Sequence, residues 1–140
     1  MKEALLVLFG FLLGQIPAWV ERYRRRSAHW RALESDAELC RDMAAVYLHD
    51  DVFAPLYRLP LALYHNSFPV LLSDGAVSRE EVQVITRFFN EVETLNRGLD
   101  SIAAKTLERS ALDRERNRLK AEKLIGQYYR ELRDVLDSHR

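Results

Sequence analysis

Few residues in this chain of 140 have the chemistry for a reaction, and most of them stand alone. His49 and Asp50 are adjacent at the end of the apolar stretch Ala44-Ala45-Val46-Tyr47-Leu48; an imidazole beside a carboxylate can hold a divalent metal and activate water for hydrolysis. Asp74-Gly75-Ala76-Val77-Ser78-Arg79-Glu80-Glu81 sets carboxylates on either side of a glycine, the arrangement of an oxygen-ligated cation site. His65-Asn66 lies in an apolar stretch with no His or Cys four residues on, so it reads as a core histidine rather than a ligand. Cys40 is the one cysteine. It excludes an intrachain disulfide and sits on an apolar stripe, so it reads as a small core hydrophobe suited to a reducing compartment. Tyr128-Tyr129 beside Arg114, Arg116, Arg118, Lys120 and Lys123 has the parts of a nucleic-acid contact, but Asp113, Glu115 and Glu122 interleave the charges. A solvated helix face, with pairs such as Arg118 and Glu122 four residues apart, accounts for that run. There is no Gly-rich phosphate loop, no Gly-x-Ser-x-Gly elbow and no CxxC.

Two of these segments resemble known sites. The stretch 74–81 is similar to the second half of a calcium-binding EF-hand loop. Aligning Gly75 with the loop's sixth position and Glu81 with its twelfth puts Val70 and Leu72 where oxygen ligands are needed. The segment therefore reads as a turn followed by a helix cap, with Ser78 and Glu81 as a capping box. Residues 44–50 look like the His-Asp signature of the HD phosphohydrolase superfamily. That resemblance implies a metal-dependent phosphohydrolase, with His29 and Asp100 as the nearest residues to complete the ligand set with His49 and Asp50. The sequence departs from the pattern at Asp51, where that family turns through a hydrophobe and Gly. The other reading makes His49, Asp50 and Asp51 the polar end of a helix.

The elements that carry these residues are helical. From Trp30, apolar positions recur in steps of three and four at Leu33, Ala37, Cys40, Ala44 and Tyr47, one face of a helix. Pro55 and Pro60 punctuate 52–60 as a turn or short helix start. Leu61 to Ser73 is apolar around Pro69; Arg58, His65, Asn66 and three prolines argue against a second membrane span over 52–72, which reads instead as a short buried helix or helix pair. A re-entrant or membrane-surface hairpin is the alternative there. A long helix starts after Ser78 with the stripe Val82, Ile85, Phe89, Val92, Asn96, Leu99 and Ala103, widened by Phe88, Leu95 and Ile102. A face that wide suits a bundle. Asn96 on the stripe is a buried amide of the kind that fixes register, and Gly98 marks a close helix crossing. Ser110 with Asp113 recaps the chain for a last helix from Ala111 to about Ser138, striped by Leu124, Tyr128, Leu132 and Val135.

The strongest feature is at the start. An uncharged run from Ala4 to Val20 stops at Glu21-Arg22-Tyr23-Arg24-Arg25-Arg26. Seventeen residues reach roughly 25 Å as a helix, a little short of a hydrocarbon core of about 30 Å. Leu5, Leu8, Phe11 and Trp19 are the expected lipid contacts. Trp19 and Tyr23 suit a headgroup boundary, whereas Gln15 and Pro17 weaken a lipid-surrounded helix. A cleaved signal peptide fits less well, because Glu3 offsets Lys2 and no small-x-small site precedes the arginines; a buried helix of a soluble protein is the third reading. Gly10, Gly14 and Ala18 share one face at a spacing that lets membrane helices pair. Arg22, Arg24, Arg25 and Arg26 make the downstream flank the cytoplasmic one and can attract anionic headgroups.

The sequence therefore predicts an all-α protein: a single transmembrane helix over 1–26 with its basic flank, N-terminus outside, followed by a cytoplasmic antiparallel bundle of about four helices over 27–140. Lysines plus arginines equal aspartates plus glutamates, 21 of each, so no global basic field recruits nucleic acid. The expected partners are the lipid bilayer and a protein partner or a second copy, with no cofactor and no small-molecule substrate indicated. The expected role is an interaction, adaptor or accessory subunit. The alternatives are the HD-type hydrolase and an envelope stalk like the inner-membrane partner of a phage lysis pair.

Overall fold

Neither Gly nor Pro interrupts the chain between Ala18 and Asp51, and the first helix passes straight through the arginines: α1 covers Lys2–His49. The structure is a computed structural model that describes residues 2–49, 57–103 and 107–140, without the side chains of 2, 3, 5, 103 and 107–110. The rest of the described chain forms α2 (Ala62–Ser73), α3 (Arg79–Ala103), α4 (Leu107–Lys123), a π-helical turn (Leu124–Tyr128) and α5 (Tyr129–Ser138). The last three run on as one rod, so the fold is all-α with four helical rods and no strand among the described residues. The C-terminal half of α1 packs on α2 and on the α4–α5 rod, while α3 packs on that rod.

The stripes meet in one core. Trp30, Leu33, Ala37, Cys40, Ala44 and Tyr47 of α1 are all buried, as are Ile85, Phe88, Phe89, Val92, Leu95, Leu99 and Ile102 of α3, and Leu132 and Leu136 of α5. Tyr64 of α2 stacks on Phe89 with ring centroids 4.0 Å apart, and Phe88 meets Phe89 edge-on. Such pairs add to the burial of the rings themselves.

Three polar side chains pin the segment that enters α2. Its N-terminal residue Leu61 has no side chain able to cap it. The carboxylate of Asp36, only 2% exposed, reaches across from α1 to accept the Tyr64 N–H at 2.8 Å. A negative group at that end also suits the helix dipole. Asn96 of α3 clamps the Leu59 peptide, its Oδ1 accepting the N–H and its Nδ2 donating to the carbonyl, each at 2.9 Å. The Cys40 thiol donates to the Pro60 carbonyl at 3.1 Å. Burial, with the nearby Asp36 charge as the smaller cause, pushes this thiol far above its ordinary range, so it behaves as a structural group.

At the other end of α2 the chain turns through Gly75 at φ 60. Gly75 N–H donates to the Leu72 carbonyl and Ala76 N–H to that of Leu71, at 3.1 and 2.9 Å, a glycine-terminated helix end. Ser78 and Glu81 then make reciprocal bonds: Ser78 N–H to Glu81 Oε2 at 2.7 Å, and Glu81 N–H to Ser78 Oγ at 3.3 Å. Further along α3, a Cβ on Gly98 would lie 2.8 Å from Cγ of Asn117, a buried residue of α4. The absent side chain is therefore what lets these helices close on each other.

The absence of Gly and Pro after the arginines suggests a helix that continues as a stalk, and α1 does run unbroken through residue 26, so the apolar segment and the first bundle helix are one element. Other expectations change. Among the described residues no helix is long and apolar enough to cross a membrane. Gln15 and Pro17 dilute the apolar run, Glu21 ends it, and the described side chains from Leu6 to Val20 cover only about 22 Å of helix. Ser110 lies within α4, which has begun by Leu107, and is not a cap. His65 is exposed rather than in the core, and α2 buries only Ser67, Phe68 and Leu71. Pro55 and Asp50 lie outside the described residues.

The Asn96 clamp predicts its own cost. Asn96→Ala leaves both polar groups of the Leu59 peptide without their partner, and unfolding of the full chain in denaturant should become easier by about 1–3 kcal/mol, whereas the exposed Asn90→Ala should change it by less than about 0.5 kcal/mol.

Candidate functional site

Every described side chain from Leu6 to Trp19 is exposed. Those of Leu6, Val7, Leu8, Phe9, Phe11, Leu12, Leu13, Ile16 and Trp19 are each more than half exposed, and they surround the helix on all sides. Gly10, Gly14 and Ala18 lie in this collar, and a Cβ on either glycine would meet nothing within 4 Å. That face is open in the single chain. The side chain of Leu5 is outside the described residues.

Below the collar come the arginines. Arg22, Arg24 and Arg25 are exposed and form no ion pair among the described residues. Arg26 is half-buried against the α2–α3 turn, where its Nη2 donates to the Asp74 carbonyl at 2.7 Å while its buried Nε has no partner. Ala18, Glu21, Arg22, Arg25, Arg26 and Asp74 line an open cleft of about 600 Å³. This is where α1 leaves the bundle.

The same end of the bundle is latched by pairing residues that the sequence singles out with two, Ser67 and His139, that it does not. His29 Nδ1 lies 3.1 Å from Oγ of the buried Ser67. Trp30 stacks on His139, centroids 3.9 Å apart, and His139 Nε2 lies 2.6 Å from Glu81 Oε1. One imidazole thus joins α1, the start of α3 and the chain's end. Arg133 adds a seam to Glu34 at 2.9 Å and to Glu38 at 3.2 Å. Neither Ser67 nor His139 belongs to an apolar repeat or a motif, so no spacing signal marks them.

The metal set implied by the HD resemblance is not brought together. His29 and His49 are twenty residues apart in one continuous helix, about 30 Å, and His29 engages Ser67. Asp100 pairs with Arg58 at 2.6 Å, His49 is exposed at the end of α1, and Asp50 lies outside the description. Among the described residues no three His, Cys, Asp or Glu side chains could share a metal ion. In the segment similar to an EF-hand loop, the turn at Gly75 and the Ser78–Glu81 box form a helix end followed by a helix start. Arg118 and Glu122 are paired at 3.3 Å on the exposed face of α4.

No protein-family model matches the sequence, and no curated protein and no solved structure matches the chain.

The latch carries a pH signature. Burial alone would raise the Glu81 carboxyl, but the Ser78 N–H, the His139 ring and the Ser78 hydroxyl outweigh it and hold the group below its ordinary range. A carboxylate favoured in the folded state contributes stability above its unfolded value of about 4.3 and loses that contribution as pH falls through the lower folded value. Thermal melts of the full chain should therefore drop through this acid window. Glu81→Gln should start lower at neutral pH and decline less steeply; equal acid slopes would exclude Glu81 as a source.

Proposed function

We propose that this protein is a membrane-attached helical module, held in lipid by the apolar end of α1 and presenting its bundle at the cytoplasmic face to a protein partner or a second copy. The single observation that carries the reading is the all-round exposure of the collar. Moving a large apolar side chain out of water is worth about 1.5–3 kcal/mol, so nine of them amount to at most about 14–27 kcal/mol, at least as much as the 5–15 kcal/mol that typically holds a whole domain together. A helix buried against protein has one dry face and one wet one. A helix that is apolar all round needs an apolar medium, and a bilayer supplies it.

Length favours a shallow or locally thinned seat. The run Ala4–Val20 falls a few ångströms short of an average hydrocarbon core, and the deficit is of the size met by thinning the bilayer or by flanking arginines snorkelling. Trp19 and Tyr23, stacked with centroids 6.3 Å apart, suit the interface. The positive flank favours retention on the cytoplasmic side. The open Gly10–Gly14–Ala18 face supports pairing with a second copy, since small residues at that spacing let helices approach closely in lipid.

Flotation with neutral phosphatidylcholine vesicles tests the attachment. The full chain should float and resist alkaline extraction, and Leu12→Arg, which places a charge in the run at a cost of about 3 kcal/mol, should shift it toward the unbound fraction. Recovery of the unaltered chain unbound, folded and monomeric would overturn the reading.

A further inference from the structure

We infer that the cleft between α1 and the α2–α3 turn is a binding site for the phosphate of an anionic lipid headgroup, held by Arg22, Arg25 and Arg26. The inference rests on the proposed membrane attachment and specifies what that surface recognises. Three observations carry it. Arg25 and Arg26 each lie about one turn from Arg22 on α1, and all three line the same cleft. None of them is paired with a carboxylate among the described residues, although arginines lower in the bundle such as Arg87, Arg97 and Arg133 are. And Arg26, oriented by the Asp74 carbonyl at 2.7 Å, keeps a buried Nε–H without an acceptor.

A guanidinium is a fork of donors that fits two oxygens of a phosphate at once. Held through Nη2, Arg26 is positioned in advance, and a phosphate oxygen would satisfy its idle Nε. Arg22 and Arg25 are exposed and free to close on the other oxygens. Glu21 and Asp74 also line the cleft, so three cations face two anions and the balance stays positive. The location fixes the source: the cleft begins at Ala18, where the collar ends, which is the depth of a headgroup when the collar is in lipid. Arg24 lies in the same basic run but does not line the cleft.

That last point separates a site from a diffuse positive field. The full chain in detergent micelles is titrated with phosphatidic acid or phosphatidylcholine, and the bound lipid is counted by native mass spectrometry. Phosphatidic acid should be retained over phosphatidylcholine, and Arg25→Gln should weaken it by about tenfold or more, the weight of a lost charge-assisted bond. Arg24→Gln removes the same charge and should leave retention within about twofold. Arg26→Gln should also lose the lipid, and the exposed Arg22→Gln serves where that variant disturbs the fold. Equal losses for Arg24→Gln and Arg25→Gln would overturn the site in favour of a diffuse field. Displacement of the lipid by inorganic phosphate at equal concentration would overturn the lipid as its source. Failure to float with neutral vesicles strikes the attachment and takes this inference with it; flotation without preference for phosphatidic acid overturns the inference alone.

Discussion

The unbroken course of α1 is the constraint on which the rest depends. Its run from Ala4 to Val20 is uncharged, the next few residues are mostly cationic, and from Trp30 onward it contributes a core stripe to the bundle. α1 continues past Pro17, which removes one bond of the ladder, and no helix breaker lies between Ala18 and the core stripe, so the zones form one rod. A hinge at the arginines would let the bundle tumble at the end of a tether; a continuous helix fixes its tilt and its rotational setting. The side of the bundle facing the collar's end is therefore determined by helical phase, and it is the side that carries the α2–α3 turn and the chain's last residues.

Holding three more rods against that one takes polar side chains as well as apolar ones. The hydrophobic stripes provide most of the stabilisation, but apolar contacts alone tolerate sliding. The Asn96 clamp on Leu59 and the Asp36 cap on α2 each have one satisfactory geometry, and the Asn117 side chain fits only against the bare Gly98. Buried polar groups of this kind penalise every alternative register in which they lose a partner. The short helix α2 depends on them most, because it has no cap of its own and contains Pro69.

What was legible in the sequence was what repeats. The α1 and α3 stripes, the turn at Asp74-Gly75 and the Ser78–Glu81 box follow from periodicity or from local backbone chemistry, and both are properties of neighbouring residues. Gly98 was legible as a close crossing because a glycine inside a strong helix has few other reasons to be there. Asp36, Ser67, Asn117 and His139 were not legible, since each works only through a residue 28 or more positions away or on another rod. The start of α4 was misplaced for the opposite reason: Ser110 has the chemistry of a cap, but helix α4 had already begun by Leu107. His65 was misplaced because its neighbours are apolar, yet α2 turns only a narrow face inward and His65 is on the other.

Charge shows how far global composition misleads. The chain is neutral overall, which by itself argues against any electrostatic role. Within the bundle, however, carboxylates and arginines are consumed by one another, as in the Arg133–Glu34–Glu38 seam, while those of residues 22–26 are left without carboxylate partners among the described residues. Neutrality of the whole thus coexists with an unneutralised band at one level of one helix. That band is joined to the bundle through Arg26, whose Nη2 holds the carbonyl of Asp74, the residue that ends α2 just before the Gly75 turn. Any group that draws the Arg26 side chain away also withdraws a bond from the turn that joins α2 to α3, and past it lies Glu81, with His139 and Trp30 stacked beyond. Arg26 thus ties the cationic band to the α2–α3 turn through one half-buried side chain, while Arg22, Arg24 and Arg25 stay exposed beside it.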